Sequence, residues 1–183
     1  MEAMEIRSSF DDLTRWPELK PGILFYVPDA GGVRLAMKVE HHEHGGVFHP
    51  CLFFNRTLRL TDPGACQSEP LIALQKAALV PTRFGGLKSL TALGELVQTD
   101  HSLLLNVLNQ KGEAITVQLS TGKTLGSWPV RPAALVSFAE WKIVLPSPLS
   151  PERHDVIFEW PLPKKARRAS PQARPGRRSA RAR

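Results

Sequence analysis

The chain has 183 residues, 42% of them apolar, enough for one ordinary hydrophobic core but not for two full domains and a tail. Its formal charge of +7 is unevenly placed: residues 161–183 carry nine basic and no acidic side chains, leaving 15 basic against 17 acidic in residues 1–160, a net −2. A uniformly basic body is thereby excluded, and any case for an acidic partner starts from the C-terminal segment.

Two cysteines, Cys51 and Cys66, are too few for the disulfide framework of a small secreted domain. The start, Met1-Glu-Ala-Met-Glu, carries acid where a signal peptide needs base, and no apolar stretch follows it. No apolar run approaches the roughly 20 residues of a membrane-crossing helix. The expectation is a cytoplasmic protein with no membrane association and no cofactor.

In chain order, Ser8 or Ser9 caps a short expected helix through Phe10, Leu13 and Trp16, ended by Pro17. Ile23 to Val27 is rich in β-branched and aromatic residues and bounded by Pro21-Gly22 and Pro28-Asp29, which predicts a buried strand. From Val33 to Val39, apolar residues alternate with Arg34, Ala36 and Lys38, the period-two pattern of a half-buried strand. Asp29-Ala-Gly-Gly supplies the tight connection between the two, and together they read as a hairpin. A third strand is expected over Val47–Phe54, with His49-Pro50 marking an edge or bulge because proline donates no ladder hydrogen bond. Thr57–Leu60 extends the pairing.

The middle of the chain reads as helical. Ser68-Glu-Pro precedes Leu71, Leu74, Ala78 and Leu79, as in a capped helix, and a looser three-residue step runs through Leu87, Leu90, Leu93, Leu96 and Val97; irregular structure is the alternative for either segment. Strands return at Leu103–Leu108, Ala114–Leu119 and Thr124–Val130; Ala134–Leu145 fits either state, and Asp155–Trp160 reads as a last strand. The expected fold is mainly β (α+β): a small SH3-like barrel or bent antiparallel sheet over residues 1–160, with one or two inserted helices. A disordered basic tail over 161–183 follows, because that segment has too little apolar surface to offset chain entropy.

Four of the six histidines crowd into Glu40-His41-His42-Glu43-His44-Gly-Gly-Val-Phe-His49-Pro-Cys51. Imidazole and thiolate suit zinc or a similar metal, so His42, His44, His49 and Cys51 are candidate ligands, with Cys66 as a fourth arm. The spacing matches no finger, ribbon or zincin pattern, and solvent-facing histidines at a polar hairpin tip account for it equally well. Ser120-Thr-Gly-Lys123-Thr124 looks like the end of a phosphate-binding loop, but the glycine needed five residues before Gly122 is Val117, and Gly126 and Pro129 follow where a helix should open. It reads as a hairpin turn. Asp100-His101 and His154-Asp155 are adjacent pairs whose side chains diverge in a strand, so neither is a ready dyad, and there is no Gly-x-Ser-x-Gly.

The tail is the strongest functional feature. Lys164, Lys165, Arg167, Arg168, Arg174, Arg177, Arg178, Arg181 and Arg183 can attract polyphosphate through counterion release. No aromatic residue follows Trp160, so the tail cannot stack on bases and would read charge, not sequence. Arg167-Arg-Ala-Ser170 also fits a short basophilic kinase pattern. The expected function is a non-enzymatic binding module with sequence-independent affinity for DNA or RNA. The alternatives are a protein–protein assembly factor acting through the folded domain, and a metal-binding protein using residues 41–51.

Overall fold

The computed structural model describes residues 13–29, 32–43, 45–86, 92–100, 102–125, 136–147 and 150–162. Its strands are β1 (Leu13–Thr14), β2 (Leu24–Asp29), β3 (Gly32–Lys38), β4 (His41–Glu43), β5 (Gly46–Phe48), β6 (Cys51–Phe53), β7 (Arg59–Thr61) and β8 (Leu71–Ala73). They continue with β9 (Ala78–Gly86), β10 (Leu96–Gln98), β11 (Leu103–Leu108), β12 (Ala114–Gln118), β13 (Lys123–Leu125), β14 (Val136–Ser147) and β15 (Ser150–Trp160). The one helical element among the described residues is a 3-10 turn, Gly64–Gln67.

Thirteen strands form one sheet whose main path runs β1-β8-β2-β3-β6-β7-β11-β10-β14-β15, with β12 and β13 branching from β11 and β9 pairing β14; β4 and β5 form a separate hairpin. Among the described residues the two ends of the path do not pair, so the sheet is open; of the barrel and the bent sheet expected, the closed SH3-like barrel is not formed. Its unpaired edges are blunted in familiar ways. β1 has two residues, β9 contains Pro81, and β15 carries exposed Glu152, Arg153 and His154.

The expected hairpin is present: β2 and β3 pair antiparallel from Leu24↔Met37 to Asp29↔Gly32. It is not half-buried, however. Leu35, Met37 and Val39 enter one core with Leu52, Phe54, Leu105 and Trp141, while Ala36 enters a second with Trp16, Phe25, Val27, Cys51 and Phe53. The layer β2-β3-β6 therefore has apolar material on both faces. It separates two apolar interiors. Each large side chain fully buried on either face contributes about 1.5–3 kcal/mol.

Both predicted mid-chain helices are corrected. Leu71–Ala73 is strand, with Leu71 and Ala73 buried and Ile72 outward, paired to β1 and β2. Leu79 lies in β9, which runs along β14 from Ala78↔Val144 to Gly86↔Ser137. Leu96 and Val97, read as the end of the second helix, form β10 between β11 and β14, and residues 87–91 lie outside the described region. At the N-terminus, Leu13–Thr14 is strand where a helix was expected, and residues 1–12 also lie outside. The third strand is broken at His49-Pro50, where the chain passes from the β4–β5 hairpin into β6 and Pro50 O accepts Val39 N–H (3.0 Å). Thr124–Leu125 is strand as expected, residues 126–135 lie outside the described region, and the ambiguous Ala134–Leu145 resolves as β14.

The larger core centres on Trp141, fully buried, whose indole N–H donates to Gly94 O (2.8 Å) and whose ring stacks on Trp160 at 6.3 Å. Leu162 packs against the same core.

Candidate binding cleft

The histidine-rich hairpin is held off the main sheet by its base. Glu40 bridges to Lys123: Glu40 N–H donates to Gly122 O (2.8 Å), and Thr124 N–H donates to Glu40 O (2.9 Å). Between this hairpin, the Asn109–Gly112 turn and the Asp62–Gln67 loop lies a cleft of about 560 Å³. Trp16 and Leu60, both buried, line it together with Pro50 and Pro63. Val47 (53% exposed) and Phe48 (54%) line it from β5, the largest apolar surface the hairpin offers. The polar lining is His41, Glu43, His49, Asp62, Gln67, Asn109, Gln110 and Lys111.

Most of these polar groups already have partners. Lys111 Nζ donates to Glu43 Oε1 (2.7 Å), which holds the ammonium above the usual lysine range. His41 Nδ1 shares a hydrogen bond with Thr124 Oγ1 (2.9 Å), and its Nε2 is 3.7 Å from Glu43 Oε2. Hydroxyl, imidazole and carboxylate thus follow one another, but they do not form a nucleophilic triad. The Glu43–His41 separation exceeds a hydrogen bond, Glu43 is already taken by Lys111, and Thr124 does not line the cleft.

The described candidate metal ligands are not gathered into one set. His42 turns to Glu40 (Nε2–Oε1 2.9 Å), and Lys123 approaches the same carboxylate at 3.3 Å. The His42 hydrogen bond, with Lys123 second, holds the Glu40 carboxyl below the usual range. His49 is exposed beside the cleft, Cys51 is buried in the second core, and His44 lies outside the described residues. The chain reverses between β4 and β5, and His42 faces Val47 across the ladder while His41 faces Phe48. Among the described residues no three His, Cys, Asp or Glu side chains assemble as a ligand set. Cys51 and Cys66 do meet, at Sγ···Sγ 3.4 Å.

The phosphate-loop-like stretch at 120–124 is the β12–β13 turn, and Gly122 is there for backbone reasons. It adopts φ +68°, and an added Cβ would lie 2.1 Å from Gly22 N. Of the two acid–histidine dipeptides, His154 and Asp155 are both exposed on β15, and His101 lies outside the described residues. The nine basic tail residues and Ser170 lie outside as well. No helix among the described residues is long and apolar enough to cross a membrane.

Sequence reasoning missed the cleft. Its one local signal was Val47-Phe48, two apolar residues in an otherwise polar hairpin tip. The partners that make it a cavity come from positions up to 95 residues apart, Trp16 to Lys111. Comparison with known proteins gives no match, whether to a family model, to a curated protein or to a solved structure.

Proposed function

We propose that the chain is a binding protein in which a near-neutral β body is joined to a cationic C-terminal segment that binds nucleic acid without sequence preference. One observation carries this reading: the separation of charge, −2 over residues 1–160 and +9 over 161–183. Nine cations with no acid among them, and no aromatic residue for stacking, match phosphate recognition by counterion release. If about half of them meet duplex phosphates, log K falls against log salt with a slope of about −4. The test is fluorescence anisotropy with duplex DNA and with RNA across a salt series, comparing the full chain with one ending at Leu162. Loss of binding on truncation supports the reading; equal or negligible binding by both chains refutes it.

A second reading has its own observation. Val47 and Phe48, each more than half exposed, stand beside a cleft with both apolar and hydrogen-bonding lining, as a protein contact surface would require. On that reading the folded domain is an assembly factor, and a co-purifying protein survives removal of residues 163–183 but not Phe48→Ser. A metal-dependent role has the weakest support, since no three candidate ligands assemble among the described residues.

A further inference from the structure

Cys51 and Cys66 lie fifteen residues apart in sequence, yet their sulfurs are 3.4 Å apart inside the second core, with the Cys51 thiol donating to Cys66 Sγ. Both are free and buried. An apolar core has no need of two thiols facing each other, and the surroundings are not purely apolar. Strand alternation puts Arg34 and Lys38 on the face of β3 that Ala36 buries in this core. The register sets Lys38 directly across from Cys51, and Cys51 directly across from Thr61, whose buried Oγ1 has no hydrogen-bond partner. A cation and an orphaned hydroxyl thus share one cross-strand row with a cysteine.

We propose that Cys51 and Cys66 are a thiol–disulfide pair, closing into an intramolecular disulfide by exchange with a small-molecule disulfide and so pinning one wall of the cleft.

The two cysteines are unequally placed for such chemistry. Cys51 sits in β6, paired on one side to β3 and on the other to β7, and cannot leave without breaking both ladders. Cys66 sits in the Gly64–Gln67 3-10 turn, whose neighbours Gln67 and Ser68 are exposed, so local opening of a single turn delivers it to solvent. It is also the better nucleophile. The Cys51 hydrogen bond, with Arg34 adding, draws its thiol below the ordinary range, while that same bond and burial push Cys51 up. The Cys66 thiolate attacks the external disulfide, forming a mixed disulfide and expelling one thiolate. Cys51 then attacks the Cys66 sulfur, its proton passing to the departing second thiolate. The protein loses two electrons and two protons, and the reagent becomes two thiols. Contraction from 3.4 Å to the S–S length of about 2.05 Å falls to the turn, because β6 is fixed. Asp62, Pro63 and Gln67 line the cleft and belong to the stretch that carries Cys66, which is how closure reaches the site.

The test uses the native full-length chain in mixtures of oxidised and reduced glutathione, quenched with acid, alkylated and analysed by intact mass and peptide mapping. The expected product lacks the mass of two hydrogen atoms, joins the peptides containing residues 51 and 66, retains no glutathione and is reversed by excess thiol. On oxidation, amide exchange at Gly64–Gln67 slows by about tenfold or more. Cys51→Ala is expected to trap one glutathione on Cys66. Two alkylatable thiols surviving at every ratio, or a stable glutathione adduct on the wild-type chain, overturns the pair. Closure with unchanged exchange at 64–67 overturns its link to the cleft wall. The wild-type measurements suffice on their own should the variant fail to fold.

Discussion

Gly122 offers a direct test of how the hairpin base is assembled. At φ +68°, an alanine there occupies the left-handed region, costing about 1–2 kcal/mol. Its Cβ would also lie 2.1 Å from Gly22 N and 2.6 Å from Pro21 C, where ordinary contact begins at 3.4 Å. The obstructing atoms are backbone and cannot swing aside as a side chain would. Gly22 is itself anchored, its N–H donating to Lys38 O (2.8 Å), so relief requires moving either the start of β2 or the β12–β13 turn. Overpacking of this kind adds about 1–3 kcal/mol, and Gly122→Ala should lose about 2–5 kcal/mol in all. Gly45→Ala is the matched control: φ is +79°, but a Cβ there meets nothing within 4 Å, so only the conformational cost of about 1–2 kcal/mol remains. Urea unfolding by linear extrapolation, with unchanged m-values, separates the two. Losses that agree within about 0.5 kcal/mol would refute the backbone approach of Gly22 to Gly122.

Three further outcomes follow from buried polar and aromatic groups. Thr61→Val should stabilise the protein by about 1 kcal/mol, since the hydroxyl it removes is buried without a partner; a loss in urea unfolding would mean that oxygen is satisfied. Lys38 Nζ donates to Trp16 O (2.8 Å) and lies 4.8 Å from the Trp16 ring centroid, so Lys38→Met should cost about 1–3 kcal/mol by leaving that carbonyl unpaired. Burial lowers the Lys38 pKa below its usual 10.5, so between the lowered value and 10.5 the unfolded chain holds the extra proton. The lysine's contribution therefore grows as pH rises through that window, and the gap between wild type and Lys38→Met should widen in melts taken from pH 8 toward 10.5. Trp141→Phe removes the N–H that Gly94 O accepts and opens space beside Trp160 and Phe158, for an expected loss of about 2–4 kcal/mol by denaturant titration.

The parts of the fold that sequence revealed are those with one wet face or a clear turn. β12 was legible because Ile115, Val117 and Leu119 lean on the larger core while Thr116 and Gln118 bond to Asn106 and Ser102. β2 and β3 were legible as a pair, but Ala36 and Lys38 read as outward when both are buried, since nothing local announces a second core on the far side. The mid-chain helices failed for a related reason. β8 and β10 are three residues each, too short to display period two, and Val97 is buried beside Leu96, so no alternation shows in β10. The accidental spacing of Leu71, Leu74 and Ala78 then supplied a helical period. As for the site, crowding of histidines was visible in the sequence, but the partners of His41 and His42, Thr124 and Glu40, are brought together by the Glu40–Lys123 bridge, which joins positions 83 residues apart.

Among the described residues the β4–β5 hairpin shares no ladder with the thirteen-stranded sheet; the Glu40 bridge at its base, the His41–Thr124 hydrogen bond and the Lys111–Glu43 ion pair fasten it. Its tip is thus decoupled from the two-sided interior that β2, β3 and β6 must satisfy at once. Exchange of residues 42–48 would therefore reshape the hairpin wall of the cleft at less cost to the core than a change in β2, β3 or β6. The structure thus sets a cleft wall that can be redrawn beside an interior packed on two faces at once.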